Sequence, residues 1–367
     1  MRKTIVISGI NIVDGGAKSV YDDLLNTIVN DKLYKKYNLI VLVSKKKLFK
    51  QFAAYFKIIE FPKSKKHWIN RLYYEYFYFK RLSKQLHPYI WLSMHDVTPN
   101  VIADKRYVYC HNPSPFYNMK LQEAKYGWKY YIFSKFYKYL YRINIHKNDG
   151  VIVQQQWMAT AFKRMYDLNN VIIAQPSINV PKIKKIDSRN KLVTFIYPSF
   201  PRPFKNFEVV CEAVKILNKK NLKSKFIVLI TLDGTENSYS RMLFNKYGDV
   251  SNIKFIGLQS RQELFDYYAK CNCLIFMSKL ETWGMPISEF KVTEKPIITV
   301  DLPYAHETVG DYSNVSYVSP HKTVDLADEM AQVINVNAKP FNHVFNKSND
   351  KFIHVNNWEE LIQTLTR

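Results

Sequence analysis

Two glutamates flank a Gly-Met-Pro turn in the segment LETWGMPISEF. Glu281 and Glu289 have seven residues between them, and Pro286 suits the first turn of a helix, where no amide donor is needed. The preceding run CLIFMS predicts a buried strand, so Glu281 follows the carboxyl end of a strand. Carboxylates accept hydrogen bonds from hydroxyls, and the positive end of a helix suits an anion. We predict a site for an anionic polyol; alternatively, both acids only complement the helix dipole.

Two cations stand in the loop YPSFPRPFKNFEVV, after another predicted strand. Arg202 can hold a phosphate through two parallel hydrogen bonds, and Lys205 provides a point charge. Both residues precede a predicted helix. They are therefore candidates for binding a diphosphate, with ordinary solvated surface charges as the alternative.

Two histidines and a glycine pair follow predicted strands in the first half of the chain. His95 lies in LSMHDVTPN, His111 in YCHNPSPFY, and Gly15 and Gly16 in GINIVDGGAKSVYDDLL. The glycine pair is not a G-x-G-x-x-G fingerprint, so a nicotinamide site is not indicated. Structural histidines and a plain turn are the alternatives to roles in a binding site.

Short Ile- and Val-rich runs alternate with helical patterns along the whole chain, which predicts βαβ units and parallel sheets. The pattern restarts after a Pro- and Lys-rich stretch at residues 179–191. We predict an α/β protein with Rossmann-like domains at residues 1–180 and 181–350, followed by a helix at 351–367. Ligands bind outside the carboxyl ends of such strands, so the loops named above should face one cleft.

In these motifs the sequence resembles the retaining GT-B glycosyltransferases of family 4, also called glycosyltransferase group 1. ETWGMPISEF and the following KPIITVDLPYAHETVG are similar to the family pattern Glu-x-Phe-Gly-x-Pro-x-x-Glu and the run behind it. Trp283 stands where the family more often has Phe. The resemblance implies two Rossmann-like domains whose parallel sheets face each other across a cleft, and a C-terminal helix that crosses back to the first domain.

The resemblance also implies roles for particular residues. Glu281 would contact the hexose hydroxyls of a nucleotide sugar, Glu289 the ribose, and His111 the transferred sugar, with His95 as a weaker acceptor-side candidate. Donor contacts are implied for Gly15, Gly16, Arg202, Lys205, Asn206, Gly257, Leu258, Trp283, Gly284, Met285 and Pro286. The family's usual arginine lies near Ser199, so Arg202 is a displaced match.

By this resemblance the reaction moves a hexose from a nucleotide-diphosphate sugar to a lipid-linked glycan, with retention of configuration. No cofactor or metal is expected, because Lys205, Arg202 and the helix end would stabilise the departing diphosphate. Enzymes that build O-antigen or capsule are the most similar in character. A sugar-nucleotide 2-epimerase, which shares the fold, is the rival enzyme.

Positive charge is concentrated in the first half of the chain. Residues 1–180 contain 29 Lys and Arg against 11 Asp and Glu, a net of +18, within a total of +23. Lysines interleave with aromatic residues in KKHWINRLYYEYFYFKRLSK and EAKYGWKYYIFSKFYKYLYRINIHK, a pattern that suits an anionic membrane surface. Burial of the rings in a core is the alternative, and a non-catalytic protein that binds membrane or nucleic acid is the third reading.

The remaining composition favours a folded cytoplasmic protein. The start MRKTIVISGINIVDGG reads as a buried strand and not as a signal peptide, and no apolar run is long enough to cross a bilayer. Four cysteines without metal-ligand spacing fit a reducing compartment. We therefore expect a cytoplasmic protein bound peripherally to the inner face of the cell membrane.

Overall fold

The computed structural model describes residues 2–117, 119–125, 127–176, 192–220, 222, 225–335 and 352–367. These residues form two compact units. Unit 1 comprises the described residues of Met1–Phe116, Phe136–Ser177 and Ser348–Arg367, and unit 2 those of Tyr117–Lys135 and Ile178–Lys347. The predicted boundaries near residues 180 and 350 lie outside the described residues.

Unit 1 is built on a parallel sheet of eight strands among its described residues. Their order is β14-β7-β6-β5-β4-β1-β2-β3. The central strands are buried Ile and Val runs, as a sheet covered on both faces requires. The strands are β1 (Thr4–Gly9), β2 (Asn38–Val43), β3 (Lys57–Glu60), β4 (Ile90–Ser93), β5 (Lys105–Tyr109), β6 (Gly150–Val153), β7 (Val171–Ala174) and β14 (Ile353–Val355).

Unit 2 contains a parallel sheet of six strands in the described part of the chain. The order is β10-β9-β8-β11-β12-β13. The strands are β8 (Leu192–Tyr197), β9 (Lys225–Ile230), β10 (Ile253–Phe255), β11 (Cys273–Phe276), β12 (Ile297–Val300) and β13 (Val315–Val318). Because β8 and β11 are neighbours, in register through Leu274 and Ile196, the loops that follow them leave the sheet side by side.

Helices connect the strands in both units, so the predicted α/β class with two parallel sheets is confirmed. In unit 1 they are α1 (Gly15–Asn30), α2 (Trp68–Tyr73), α3 (Phe79–Leu86), α6 (Gln156–Tyr166) and α13 (Trp358–Thr366). In unit 2 they are α4 (Leu121–Ala124), α7 (Phe207–Leu217), α8 (Ser238–Tyr247), α9 (Arg261–Lys270), α10 (Met285–Lys291), α11 (Pro303–Val309) and α12 (Thr323–Ile334). Helix α5 (Trp128–Arg142) contributes residues to both units.

The C-terminal residues complete unit 1. Strand β14 pairs with β7, and Leu361 and Leu365 of α13 enter the core formed by β1, β2 and α1. The sequence predicts the helix but not the short strand before it. The last elements of the chain therefore close one edge and one face of the first sheet.

The lysine-rich aromatic segments are helical, and each has an exposed stripe. A π-helical stretch, Tyr74–Tyr78, joins α2 to α3. Ile69 and Phe77 on this segment are 77% and 71% exposed. On and just after α5, the exposed apolar residues include the five that the sequence pattern singles out, Trp128, Ile132, Phe136, Tyr139 and Ile143. Burial, the alternative for these five side chains, does not occur.

Among the described residues, no helix combines the length and the apolar character that a membrane span needs.

Candidate active site

An ion pair joins the loops after β8 and β11. Lys205 Nζ donates a hydrogen bond to Glu281 Oε1, and the two side chains are only 14% and 16% exposed. The hydroxyl of Tyr197, at the end of β8, donates to the backbone carbonyl of Lys205. The structure thus brings together the predicted phosphate-binding lysine and the predicted sugar-binding glutamate. Each residue holds the other in a position from which it can turn to a ligand.

The turn before α10 has the backbone that the sequence predicts. Gly284 has φ of +86°, a left-handed conformation in which a side chain is strained. A β-carbon there would lie 3.2 Å from the Tyr304 ring. The Trp283 indole donates to Ser288 Oγ at 2.9 Å, and the Trp283 carbonyl accepts from Thr308 Oγ1. Both contacts fix the conformation of the turn beside Met285 and Pro286.

Glu289 lies one turn into α10, with its carboxyl group mostly enclosed. Burial raises its pKa, while Arg261 and Tyr268 oppose that shift. The Tyr268 hydroxyl donates to Glu289 Oε2 at 3.4 Å, and Arg261 Nη2 lies 3.7 Å from Oε1. Helix α10 has only seven residues, so its dipole contributes little and the cations carry most of the attraction for an anion.

Arg202 and Asn206 occupy the same loop as Lys205 but have different surroundings. The Arg202 guanidinium lies 5.3 Å from the ring centroid of Tyr130 and 6.0 Å from that of Phe204. Its guanidinium therefore lies among aromatic rings, which attract a cation. Asn206 instead donates to the Pro320 carbonyl at 2.8 Å and has φ of +59°. Its side chain therefore orders the loop.

Gly257 and Leu258 follow β10 in unit 2. Gly257 has φ of +71°, and a β-carbon there would lie 3.2 Å from Asp233 Oδ2. The Leu258 side chain is exposed. This combination presents backbone groups and one apolar side chain, which suits the flat face of a base.

In unit 1, Gly15 and Gly16 begin α1. Gly15 has φ of +68°. Nothing lies within 4 Å of a β-carbon placed on Gly15 or on Gly16. The helix N-terminus is therefore bordered by open space. Only Gly15 needs to be glycine for conformational reasons.

His111 follows β5, and its ring is held on one side. The imidazole lies 4.6 Å from the Tyr109 ring, centroid to centroid, and it forms a hydrogen bond with the backbone carbonyl of Met94. Burial lowers the pKa of His111, and the charge of Asp96 offsets this only in part. Nε2 is buried and has no hydrogen-bond partner in the structure.

His95 is buried in the interior of unit 1, whereas His111 is only partly buried. Its Nε2 is 3.2 Å from Ser8 Oγ and 3.3 Å from Glu75 Oε1, and Arg71 donates to its carbonyl at 2.6 Å. Burial and the Arg71 charge lower the pKa of His95 well below its usual range. These surroundings match the structural alternative, and the acceptor-side role stays a prediction.

The second half of the chain matches a known protein family. Residues 179–352 match the family described as Glycosyl transferases group 1. That segment contains every predicted donor-site residue from Arg202 to Glu289. The match supports a glycosyltransferase. No curated protein matches the sequence significantly.

Solved structures with the same fold cover nearly the whole chain. Sucrose-phosphate synthase from Thermosynechococcus elongatus aligns over 92% of this chain and 93% of its own, with 13% identity and a TM-score of 0.64. The lipopolysaccharide outer core galactosyltransferase WaaB has 14% identity, 92% and 91% coverage, and a TM-score of 0.62. HepE of Anabaena, in complex with UDP-glucose, has 13% identity, 91% and 93% coverage, and a TM-score of 0.60. At these identities the likeness shows the fold, and the fold is GT-B.

Sequence reasoning missed several charged residues beside the predicted site. Lys279 Nζ lies 2.8 Å from Glu123 Oε1, and the Lys279 amide donates to the Phe204 carbonyl at 2.7 Å. Arg261 neighbours Glu289. A lysine two residues before Glu281 carries no recognisable motif, so only the packing of Glu123 against this loop draws attention to it.

Among the described residues, no group of three or more His, Cys, Asp or Glu side chains is placed to hold a metal ion.

Proposed function

We propose that this protein is a retaining glycosyltransferase that transfers a hexose from a nucleotide-diphosphate sugar to a hydroxyl of a lipid-linked glycan. The observation that carries the proposal is the Lys205–Glu281 pair at the ends of two neighbouring strands. The match of residues 179–352 to group 1 glycosyl transferases supports the reaction class. UDP-glucose in the HepE structure supports the choice of a nucleotide sugar as donor.

The Lys205–Glu281 pair explains how one site can bind both a phosphate and a sugar. A diphosphate attracts the Lys205 ammonium, and Glu281 is then released to accept hydrogen bonds from sugar hydroxyls. Arg202 adds a second cation above its aromatic neighbours. Because charge builds up on the departing diphosphate, a cation already in place lowers the barrier to its departure.

The proposed transfer requires neither a metal nor a covalent intermediate. The bond from the anomeric carbon to the diphosphate breaks, and a bond to the acceptor oxygen forms on the same face of the sugar. Because attack and departure share one face, the configuration is retained, and the acceptor proton passes to an oxygen of the departing diphosphate. His111 would accept a hydrogen bond from the sugar through Nε2, which has no other partner.

Donor binding is tested with purified protein and UDP-, GDP-, dTDP- and CMP-sugars in the presence of EDTA. One nucleotide class should raise the melting temperature, and Lys205→Ala and Glu289→Ala should weaken that shift. Lys254→Ala, which changes an exposed lysine of β10, is the matched control. No shift with any donor, or an absolute need for a divalent cation, would contradict the proposed site.

The stereochemical part of the proposal has its own test. The anomeric configuration of the first product, followed by NMR, should equal that of the donor. A product of inverted configuration would contradict retention. Conversion of the donor to a 2-epimer without any acceptor would instead identify the rival epimerase.

The acceptor proposal rests on the exposed, cationic face of unit 1. Between residues 62 and 87 the exposed charged residues are all cations: Lys63, Lys65, Lys66, Lys80, Arg81 and Lys84. The one acid of this segment, Glu75, is buried. Ile69, Tyr73 and Phe77 form an exposed apolar stripe among the cations. Such a surface suits an anionic bilayer, where a lipid-linked acceptor for O-antigen or capsule synthesis is presented on the cytoplasmic side.

Vesicle sedimentation tests the membrane surface. The protein should bind vesicles containing phosphatidylglycerol more tightly than vesicles of phosphatidylcholine alone, and Ile69→Ser with Phe77→Ser should weaken binding by at least tenfold. Ile102→Ser, at an exposed residue outside the segment, is the control. Unchanged binding in the double variant, or tighter binding to single-stranded nucleic acid, would contradict this surface.

A further inference from the structure

Asp96 follows His95 after β4, in a backbone conformation that few residues other than glycine adopt. Its φ is +77°. Aspartate and asparagine tolerate this left-handed region better than most residues do. The Asp96 amide donates to the Tyr109 carbonyl at 3.1 Å, which joins this loop to the end of β5. The residue is therefore anchored beside the strand that leads to His111.

The Asp96 carboxylate receives hydrogen bonds from the loop that carries His111. Oδ1 accepts from the backbone amides of His111 at 2.6 Å and Asn112 at 2.9 Å. The Tyr141 hydroxyl lies 3.0 Å from the same oxygen, and the Tyr137 hydroxyl lies 3.4 Å from Oδ2. Hydrogen bonds to an ionised acceptor are about twice as strong as neutral ones. One carboxylate thus orders two successive peptide units.

The direction of the His111 ring depends on this backbone. One face of the ring packs against Tyr109, and one ring nitrogen contacts the Met94 carbonyl, while Nε2 has no partner. Because Nε2 has no hydrogen-bond partner, we assign the proton of the neutral ring to Nδ1, from which the hydrogen bond to the Met94 backbone would be donated. A shift of the His111 backbone would break that hydrogen bond and turn Nε2 away.

We propose that Asp96 is a positioning residue, whose carboxylate holds the His111 and Asn112 amides so that His111 keeps Nε2 as an unpartnered hydrogen-bond acceptor. The inference rests on the proposed function for its role in transfer. The hydrogen-bond arrangement itself is independent of that function.

The tautomer of His111 provides a direct readout. In protein labelled with ¹⁵N-histidine, the nitrogen shifts near pH 7.5 should show a single neutral form protonated at Nδ1, with the signal assigned by its loss in His111→Gln. Asp96→Ala should give a mixture of tautomers. Asp149→Asn is the matched control, because exposed Asp149 also accepts a backbone amide, from Arg106 at 2.7 Å, near the other end of β5. The control should leave the His111 signal unchanged.

Kinetics separate positioning from folding. Asp96→Ala should lower kcat by roughly 100-fold, the effect expected of a misplaced site group. Donor Kd should stay within about twofold of the wild-type value, because Lys205 and Glu289 belong to unit 2. Asp96→Asn keeps one acceptor oxygen without the charge, so its kcat should fall between the two. If Asp96→Ala does not fold, Asp96→Asn decides by the same two measurements.

Two results would overturn the inference. One is a His111 tautomer that is unchanged in the folded Asp96 variants, and the other is a kcat within twofold of wild type. Wild-type protein that binds and transfers no nucleotide sugar would contradict the proposed function instead, while the tautomer measurement would still judge Asp96.

Discussion

Each unit contains a pair of opposite charges beside the carboxyl ends of its strands, but the two pairs differ in burial. In unit 2, Lys205 and Glu281 are in direct contact and keep 14% and 16% of their side-chain surface exposed. In unit 1, Arg71 and Glu75 are 4% and 0% exposed, with 3.9 Å between Nε and Oε1. The two pairs therefore serve different purposes. The exposed pair can exchange its partner for a ligand, whereas the buried pair cannot.

The physical reason is the cost of removing a charge from water. A partly exposed ion that loses its partner is solvated again, so ligands can separate such a pair at small cost. A buried ion that loses its partner stays desolvated, which costs several kcal/mol. Burial raises the pKa of Glu75 to about 8, with the Arg71 charge opposing the shift.

Lys205→Ala should have the largest effect, and the effect should be on catalysis. Loss of a cation from the leaving-group site is expected to lower kcat/KM by roughly 100- to 1,000-fold, as for other preorganised groups. The urea midpoint should change little, because the pair is partly exposed. Initial rates and urea unfolding measure both quantities, with Lys254→Ala as the control. Activity close to wild type would remove Lys205 from the site.

Arg71→Met should show the opposite profile. Above the Glu75 pKa of about 8, it leaves an ionised carboxylate buried without its cation, which should lower the free energy of unfolding by about 3 kcal/mol. Donor affinity should be unchanged, since Lys205 and Glu289 lie in unit 2. Arg81→Met, at an exposed arginine of α3, should have little effect. Equal stability of the two variants in urea would mean that burial does not distinguish these charges.

Gly284→Ala should cost about 1–2 kcal/mol of stability, because alanine is strained at a φ of +86°. The new methyl group would also press on the Tyr304 ring, and donor affinity should fall with the displaced turn. Gly16→Ala is the comparison, since it has ordinary backbone and open space around its β-carbon. Thermal unfolding should show a loss for Gly284→Ala alone. An equal loss of stability in both variants would mean that the backbone conformation of Gly284 does not require a glycine.

Glu75→Gln should change the stability in a way that depends on pH. The carboxyl group titrates near 4.5 when unfolded and at about 8 when folded, so the folded protein binds the extra proton between these values. Wild-type stability therefore falls as pH rises through this window. Relative to wild type, Glu75→Gln should gain roughly 3 kcal/mol between pH 5 and pH 8. Exposed Glu60→Gln should show no such trend in urea unfolding, and a parallel trend in both would contradict the burial of Glu75.

Most of the fold is readable in the sequence, because each buried parallel strand is a short continuous apolar run between helical patterns. Strands β1 to β13 coincide with such runs. Strand β14 was not predicted, because it has only three residues, Ile353–Val355, and pairs with β7, which is distant in the sequence. A strand that short has too few residues for a local pattern.

Helix α5 shows where periodicity stops being informative. Its rings occupy more than one face, and either face could be the core. The structure buries Ser134, Tyr137 and Tyr141 and exposes Phe136 and Tyr139. A helical repeat defines faces, but which face is covered depends on the neighbouring elements.

The sequence by itself determined which residues stand at the carboxyl ends of strands, including Lys205, Glu281 and His111, because strand and turn patterns are local. Only the tertiary structure decided that Lys205 pairs with Glu281 and that Asp96 holds the loop of His111. Both contacts depend on strand order: β8 beside β11, and β4 beside β5. That order arises from the packing of the whole sheet, which no short stretch of the chain encodes.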